Sequence, residues 1–273
     1  MSKIEQNTDI TLIIPIFNAD VPLLKNAIES VANQMVKPDV TLFVVAEKSD
    51  DHKSLKDLLK GEERFSWVIQ THAGDTSFQS QMNLGVKMCN TKWFSYLEQD
   101  DEISTIWFKN VIEYRKAYED VGIFLPLILD VSDSVETPEG PTSDVLGMSN
   151  EAVWAAEFSA EMGILDNDSL LKYQNFNFDG MVMMKEVYED FGGLKTNIKL
   201  TFMYEFLLRM TAKAVKTMII PKLGYKHVNL REGGLFSNLK TEMLPDEARW
   251  WLATAKREYY HTNDRELAYE KIN

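Results

Sequence analysis

The chain has 273 residues, with 29 Lys and Arg against 42 Asp and Glu, a formal net charge of −13 at pH 7. That length suits one large domain or one domain with an annex, and a 45% hydrophobic content supports a packed core. The acidity argues against unaided nucleic-acid binding and against docking by charge on an anionic membrane, since both need a basic face. The lone cysteine, Cys89, leaves no intrachain disulfide and no cysteine-built zinc site.

Apolar runs reach about nine residues, short of the roughly 20 that span a bilayer, so no integral membrane segment is expected. The N-terminal "MSKIEQNTDI" has no signal-peptide core. A soluble, cytoplasmic protein is the expectation.

In chain order, "TLIIPIF" (11–17) reads as a strand covered on both faces. A helix follows with Leu24, Ala27, Ile28, Val31 and Met35 on one side, capped by Asp20 with Pro22 in its first turn. Strands at 40–46 and 66–71 flank a short helix, 54–61, ended by Gly61. A helix at 77–89, a strand at 93–98, a helix at 105–119 capped by Ser104, and a strand at 121–129 complete the first half. Strands alternating with helices predict an α/β fold, a doubly wound, mostly parallel, Rossmann-like sheet. Ligands then bind beyond the carboxyl ends of the strands.

Residues 130–150 are rich in Ser, Pro, Gly and Asp and read as a loop or surface insertion. Helical patterns follow at 151–164, 185–194 and 201–215, then a strand at 216–228 and a proline-started helix at 245–261. The paired Trp250 and Trp251 on that last helix suit core packing or an oligomer contact, since the charges around them sum to zero.

At the end of the fourth strand, "WFSYLEQDDEIS" places Glu98, Asp100, Asp101 and Glu102 together. If the extended chain persists, Glu98 and Asp100 share a face and Asp101 takes the other. Carboxylates so grouped suit a hard divalent cation. Asp101 and Glu102 read equally as the acidic approach to the helix capped by Ser104.

"IIPIFN" (13–18), "VVAEKSDD" (44–51), "QSQMNLGVKMCNTKWFSYLEQDDEIS" (79–104), "FNFDGMVMMKEVYEDFGGL" (176–194) and "MYEFLLR" (203–209) stand in order. Together they resemble family 2 glycosyltransferases of the GT-A fold over roughly residues 10–230, within a domain spanning 1–230. The resemblance implies a nucleotide-sugar part at about 10–129, an acceptor part at about 130–230, and a C-terminal helical extension at 231–273. It implies a UDP- or GDP-type donor, a glycan or other hydroxyl acceptor, Mn²⁺ or Mg²⁺ as cofactor, and inverting transfer. Donor binding falls on Pro15, Phe17, Asn18, Glu47, Asn83, Glu98, Gln99 and Asp100, and metal ligation on Asp100, Asp101 and His227.

Glu205 takes the position of the general base; it reads equally as the partner of Arg209 one helical turn on. His227 reads equally as a hydrogen-bonded structural histidine, and His72 is a weaker candidate. The sequence departs from the family pattern at Glu98, where Asp is usual, and at Ala46-Glu47, where two aspartates are usual. These departures keep a non-catalytic sugar-nucleotide or glycan-binding protein of the same fold as the alternative. A nucleotidyltransferase is disfavoured, because "FNADVPLL" lacks a glycine-rich basic loop.

Overall fold

Every position of the first strand, β1 (Ile10–Ile16), is buried, and its apolar side chains divide by parity. Ile10, Leu12, Ile14 and Ile16 join one core layer while Ile13 joins the other, as the two-residue strand period requires. The structure, a computed structural model, describes residues 7–229 apart from Lys48, 133–134, 138–139 and 174–175. The helix expected at 245–261 and the extension at 231–273 lie outside the described residues.

After β1 come α1 (Val21–Ala32), β2 (Val40–Ala46), α2 (Asp51–Leu58), β3 (Trp67–His72), α3 (Phe78–Met88), β4 (Trp93–Tyr96), β5 (Glu102–Ile103) and α4 (Trp107–Ala117). The second half holds β6 (Ile123–Ser132), β7 (Val135–Thr137), β8 (Gly140–Thr142), β9 (Val145–Ser149), a 3-10 turn (Glu151–Trp154), β10 (Ile164–Leu165), α5 (Asn167–Lys172), β11 (Val182–Met184), α6 (Lys185–Asp190), α7 (Phe202–Ala212) and β12 (Thr217–Asn229).

The main sheet has the order β10-β12-β6-β11-β4-β1-β2-β3, with β5 added to β12 and β9 to β6. Strands β3, β2, β1 and β4 are mutually parallel, and β12 is parallel to β6. Only the short β11 among the strands of that central run opposes its neighbours, β4 and β6. The sheet grows outward from β1 through β2 to β3, then returns through α3 to set β4 on the other side of β1. The crevice between the carboxyl ends of β1 and β4 is thus the topological switch point.

Helices α1, α2 and α4 pack on one face of the sheet, and α3 with α5, α6 and α7 on the other. Gly85 lets α3 lie close on β1, since a Cβ there would come within 2.6 Å of Ile13. Among the described residues no helix is long and apolar enough to cross a membrane.

Three local expectations are corrected. Residues 130–150 are not a loop: β6 runs on to Ser132, β7 and β8 form a hairpin, and β9 returns along β6. β9 takes its place from its pairing with β6, which the composition of the segment does not show. Residues 151–164 form only the 3-10 turn, because Ala155 is extended and Glu157 and Gly163 take positive φ. Ser104 does not cap α4, whose N-cap is Ile106; its amide instead bonds the Gly224 carbonyl at 2.9 Å.

Candidate functional site

The switch point is sewn by side chains. The Gln99 amide nitrogen donates to the Phe17 carbonyl at 2.9 Å, and the Phe17 amide donates to Gln99 Oε1 at 2.9 Å. Asn18 takes a left-handed φ of 48°, and Asp51 stabilises that turn by accepting from the amides of Asn18 at 2.7 Å and Ala19 at 2.9 Å. Gln81 on α3 donates from below to the carbonyls of Ile16 and Val44, pinning the ends of β1 and β2. Between these strand ends lies a pocket of about 330 Å³ lined by Phe17, Asn18, Glu47, Ser49 and His72.

On the other side of the switch point, β4 stops at Tyr96 and the chain turns, with the Asp101 amide donating to the Glu98 carbonyl at 3.3 Å. The extension expected through residue 100 therefore does not persist, and strand alternation does not arrange the carboxylates. The turn does: oxygens of Glu98, Asp100 and Asp101 all lie within 4.8 Å of one another.

Asp101 is buried and tied to β12, accepting from the Tyr225 hydroxyl at 2.8 Å and the Val228 amide at 2.9 Å. The same hydroxyl accepts from the Glu98 amide at 3.0 Å. Tyr225 packs against Gly180, where φ is +70° and any Cβ would come within 2.7 Å of the ring. Glu102 leaves the cluster, pairing with Lys226 at 2.7 Å.

A fourth carboxylate arrives from β11. Because that strand is antiparallel, its start lies at the edge where β4 and β6 end, and the register Val182 to Ser95 brings the preceding chain level with Glu98. Asp179 is buried there, accepting from the Tyr96 hydroxyl at 2.5 Å and the Asn177 amide at 2.6 Å. His227, half-buried, bonds through Nδ1 to Asp130 at 3.0 Å, and Asp130 accepts from the Ser149 hydroxyl at 2.7 Å.

These charges strain one another. Burial first, then the neighbouring carboxylates, raise Glu98 well above the usual carboxylate range and lift Asp179 as well. Burial pushes Asp101 up to about 8, although His227 works the other way. His227 is held up to about 10: burial opposes its charge, but Asp130, Asp179, Asp101 and Glu98 outweigh burial. A hard divalent cation fits such a set, because it takes carboxylate oxygens and an imidazole and relieves the repulsion that burial magnifies. Glu98, Asp100, Asp101 and His227 are the residues that would hold it.

The predicted site residues thus divide. Phe17, Asn18 and Glu47 line the pocket, Gln99 ties it to the acidic turn where Glu98, Asp100 and Asp101 meet, and His227 stands on Asp130 within the electrostatic reach of that turn. Pro15 is buried inside β1 against Val44, and its side chain does not reach the pocket.

Asn83 is corrected: its oxygen accepts from the Tyr188 hydroxyl at 2.6 Å and the Leu194 amide at 3.0 Å, and its nitrogen donates to the Leu194 carbonyl at 2.8 Å. It secures the Gly193-Leu194 turn and not the pocket. Glu205 is corrected too. It has no exposed surface, and both its oxygens meet Arg209, at 2.8 and 2.9 Å, with Lys195 also at 2.7 Å. Arg209 in turn donates to the carbonyls of Phe191 and Gly193. Enclosed by two cations and linked through Arg209 to the carbonyls of Phe191 and Gly193, Glu205 works here as a structural lock.

Asp130, Asp179, Tyr225 and Asp51 went unnoticed in the sequence. Asp130 carried a usable signal, since it ends the apolar run 121–129 much as Glu98 ends the fourth strand. Asp179 carried none, because its place depends on an antiparallel strand that local pattern does not reveal.

Comparison with known proteins agrees with this geometry. The sequence profile of Glycosyl transferase family 2 matches residues 11–179. The minor teichoic acid biosynthesis protein GgaB of Bacillus subtilis is 25% identical over 115 residues, 42% of this chain and 13% of GgaB. TarS (residues 1–349) of S. aureus, solved with UDP-GlcNAc, superposes with a TM-score of 0.63 at 14% identity, over 84% of this chain and 60% of that one. The mannosyltransferase PcManGT of Pyrobaculum calidifontis, solved with GDP-Man and Mn²⁺, gives 0.65 at 12% identity over 93% and 68%. The chain therefore spans less than two thirds of both GgaB and that TarS chain. The sheet order, the switch-point crevice and the profile match agree: this chain has the GT-A fold and belongs to glycosyl transferase family 2.

Proposed function

We propose that this protein transfers a sugar from a nucleotide-sugar donor to an acceptor hydroxyl with the help of Mn²⁺ or Mg²⁺. One observation carries the reading: three carboxylates meet within 4.8 Å at the switch point, beside a pocket at the ends of β1, β2 and β3. Phe17, Asn18, Glu47 and His72 would receive the base and ribose of a UDP- or GDP-type donor. Glu98, Asp100, Asp101 and His227 would hold the cation. Such an ion offsets the charge that develops on a departing diphosphate. The donors in the TarS and PcManGT structures, UDP-GlcNAc and GDP-Man, support this donor class.

Inverting transfer asks for a base that takes the acceptor proton on the face opposite the leaving group. Asp179, whose partners Tyr96 and Asn177 are neutral, suits that task better than Glu205, whose partners are cations. The acceptor part falls at about 130–230, and a glycan or other hydroxyl compound is the acceptor class.

A second reading, a sugar-nucleotide-binding protein without catalysis, is favoured by the enclosure of Glu205 at the position of the family's base. A panel of UDP- and GDP-sugars screened by thermal shift with and without Mn²⁺ tests binding, since a specific ligand raises apparent stability by mass action. Metal-dependent stabilisation by one donor is expected. No stabilisation by any donor would overturn both readings, and binding without donor turnover across an acceptor panel would leave only the second.

A further inference from the structure

Three strands lie side by side next to the crevice: β9 runs antiparallel to β6, and β12 runs parallel to it. Their side chains form a chain of contacts. Ser149 of β9 stands opposite Ile128 of β6, and its hydroxyl donates to Asp130 Oδ2 at 2.7 Å. Asp130 of β6 is the register partner of His227 of β12, and its Oδ1 meets His227 Nδ1 at 3.0 Å. One residue further along β12, the Val228 amide holds Asp101.

The chemistry of this chain is directional. An ionised carboxylate only accepts, so the hydrogen in the Asp130 contact belongs to His227 Nδ1. Both Asp130 oxygens are then occupied, by an imidazole and by a hydroxyl. The remaining ring nitrogen, Nε2, has no hydrogen-bond partner among the described residues, and the ring feels the charges of Asp101, Glu98 and Asp179. A histidine fixed through Nδ1 by a carboxylate gives up only its Nε2 proton to a cation and then presents Nε2 as a lone-pair donor, an arrangement that orients metal-binding imidazoles and raises their basicity.

We propose that Asp130 is a positioning residue for the cation of this site. With Ser149 behind it, Asp130 fixes the tautomer and ring direction of His227, so that Nε2 is offered to a divalent ion shared with the carboxylates of the acidic turn. The proposal rests on the metal-assisted reading above and assigns Asp130 and Ser149 a task within it. The two strand connections matter because Asp130 and His227 lie 97 positions apart. Only the pairing of β6 with β12 brings them together.

The test uses Mn²⁺ alone as probe on the full chain, with affinity from titration calorimetry and ligand identity from pulsed electron paramagnetic resonance. The wild-type protein is expected to show nitrogen coupling from one imidazole to bound Mn²⁺, absent in His227→Ala. Asp130→Ala should weaken Mn²⁺ binding by roughly 10- to 100-fold and diminish the nitrogen coupling. Asp130→Asn keeps an acceptor for Nδ1–H and should recover part of both signals, which a merely structural role would not predict. Ser149→Ala should have a smaller effect in the same direction. Mn²⁺ binding lost in Asp100→Ala but unchanged, without nitrogen coupling, in wild type and His227→Ala would overturn the proposal while leaving the metal reading intact. Mn²⁺ failing to bind the wild-type chain at all would overturn both.

Discussion

Gln99 and Phe17 exchange two hydrogen bonds across the switch point, each 2.9 Å long, and so join the acidic turn to the lip of the pocket at the ends of β1, β2 and β3. One residue touches the charge cluster and the other lines the pocket, so the pair couples the two halves of the site. Gln99→Ala removes both bonds, each worth about 1 kcal/mol in a partly exposed setting. Since 1.4 kcal/mol is tenfold in affinity, the two bonds together set an upper limit of roughly 30-fold on the loss of donor binding, with a small fall in melting temperature. Calorimetry with UDP and GDP in Mn²⁺ measures this; unaltered affinity would show that the two halves act independently.

Tyr225→Phe deletes one hydroxyl that serves both Glu98 and Asp101. It leaves a buried amide and a buried carboxylate oxygen without that partner, at a cost of about 1–3 kcal/mol. Denaturant unfolding should register the loss, and Mn²⁺ affinity should fall with it. Stability equal to wild type would contradict the account of Tyr225 as the strut between β12 and the acidic turn.

Glu205→Gln tests the lock. It leaves the buried Arg209 guanidinium without a charged partner, and breaking a buried pair in this way costs about 3–5 kcal/mol. A large drop in stability is expected, with donor turnover per folded molecule retained. Full stability with abolished turnover would restore Glu205 as the base.

Asp100→Ala should remove the Mn²⁺ dependence of nucleotide binding while the fold survives, since Asp100 is half-buried in the turn. Far-UV circular dichroism checks the fold and calorimetry the coupling. Nucleotide affinity that still rises with Mn²⁺ in this variant would refute its role as a ligand.

The pH dependence of stability follows from the crowded carboxylates. Asp101 is pushed up to about 8, so between about pH 4 and 8 the folded protein holds a proton there that the unfolded chain has released. His227, raised to about 10, likewise keeps its proton in the fold after the unfolded chain loses it near pH 6.5. Both contributions are full at low pH and decline as pH rises through the folded values. The metal-free protein should therefore lose melting temperature between pH 6 and 9, and added Mn²⁺ should stabilise it more at pH 9 than at pH 6. A metal-induced shift that shrinks as pH rises would contradict this assignment.

Much of the fold was legible because its first half obeys local rules. The two-sided burial of β1, the helical stripe of Leu24, Ala27, Ile28 and Val31, and the acid-ended fourth strand each follow from neighbouring residues alone. The illegible parts depend on partners far along the chain. Asn83 looked like a donor ligand but is taken up by Tyr188 and Leu194, and β9, within 130–150, acquires its form from β6.

By itself, then, the sequence determined a doubly wound α/β sheet and the strand ends that form its crevice, because hydrophobic periodicity and the order of strands and helices are local. It also determined that Glu98, Asp100 and Asp101 stand together, since they are adjacent in the chain. Only the tertiary structure decided what surrounds them. The antiparallel β11 carries in Asp179, and the pairing of β12 with β6 sets His227 on Asp130. Charges 80 to 130 positions apart act on one another only when strand pairing brings them within a few ångströms, where low dielectric makes each of them count.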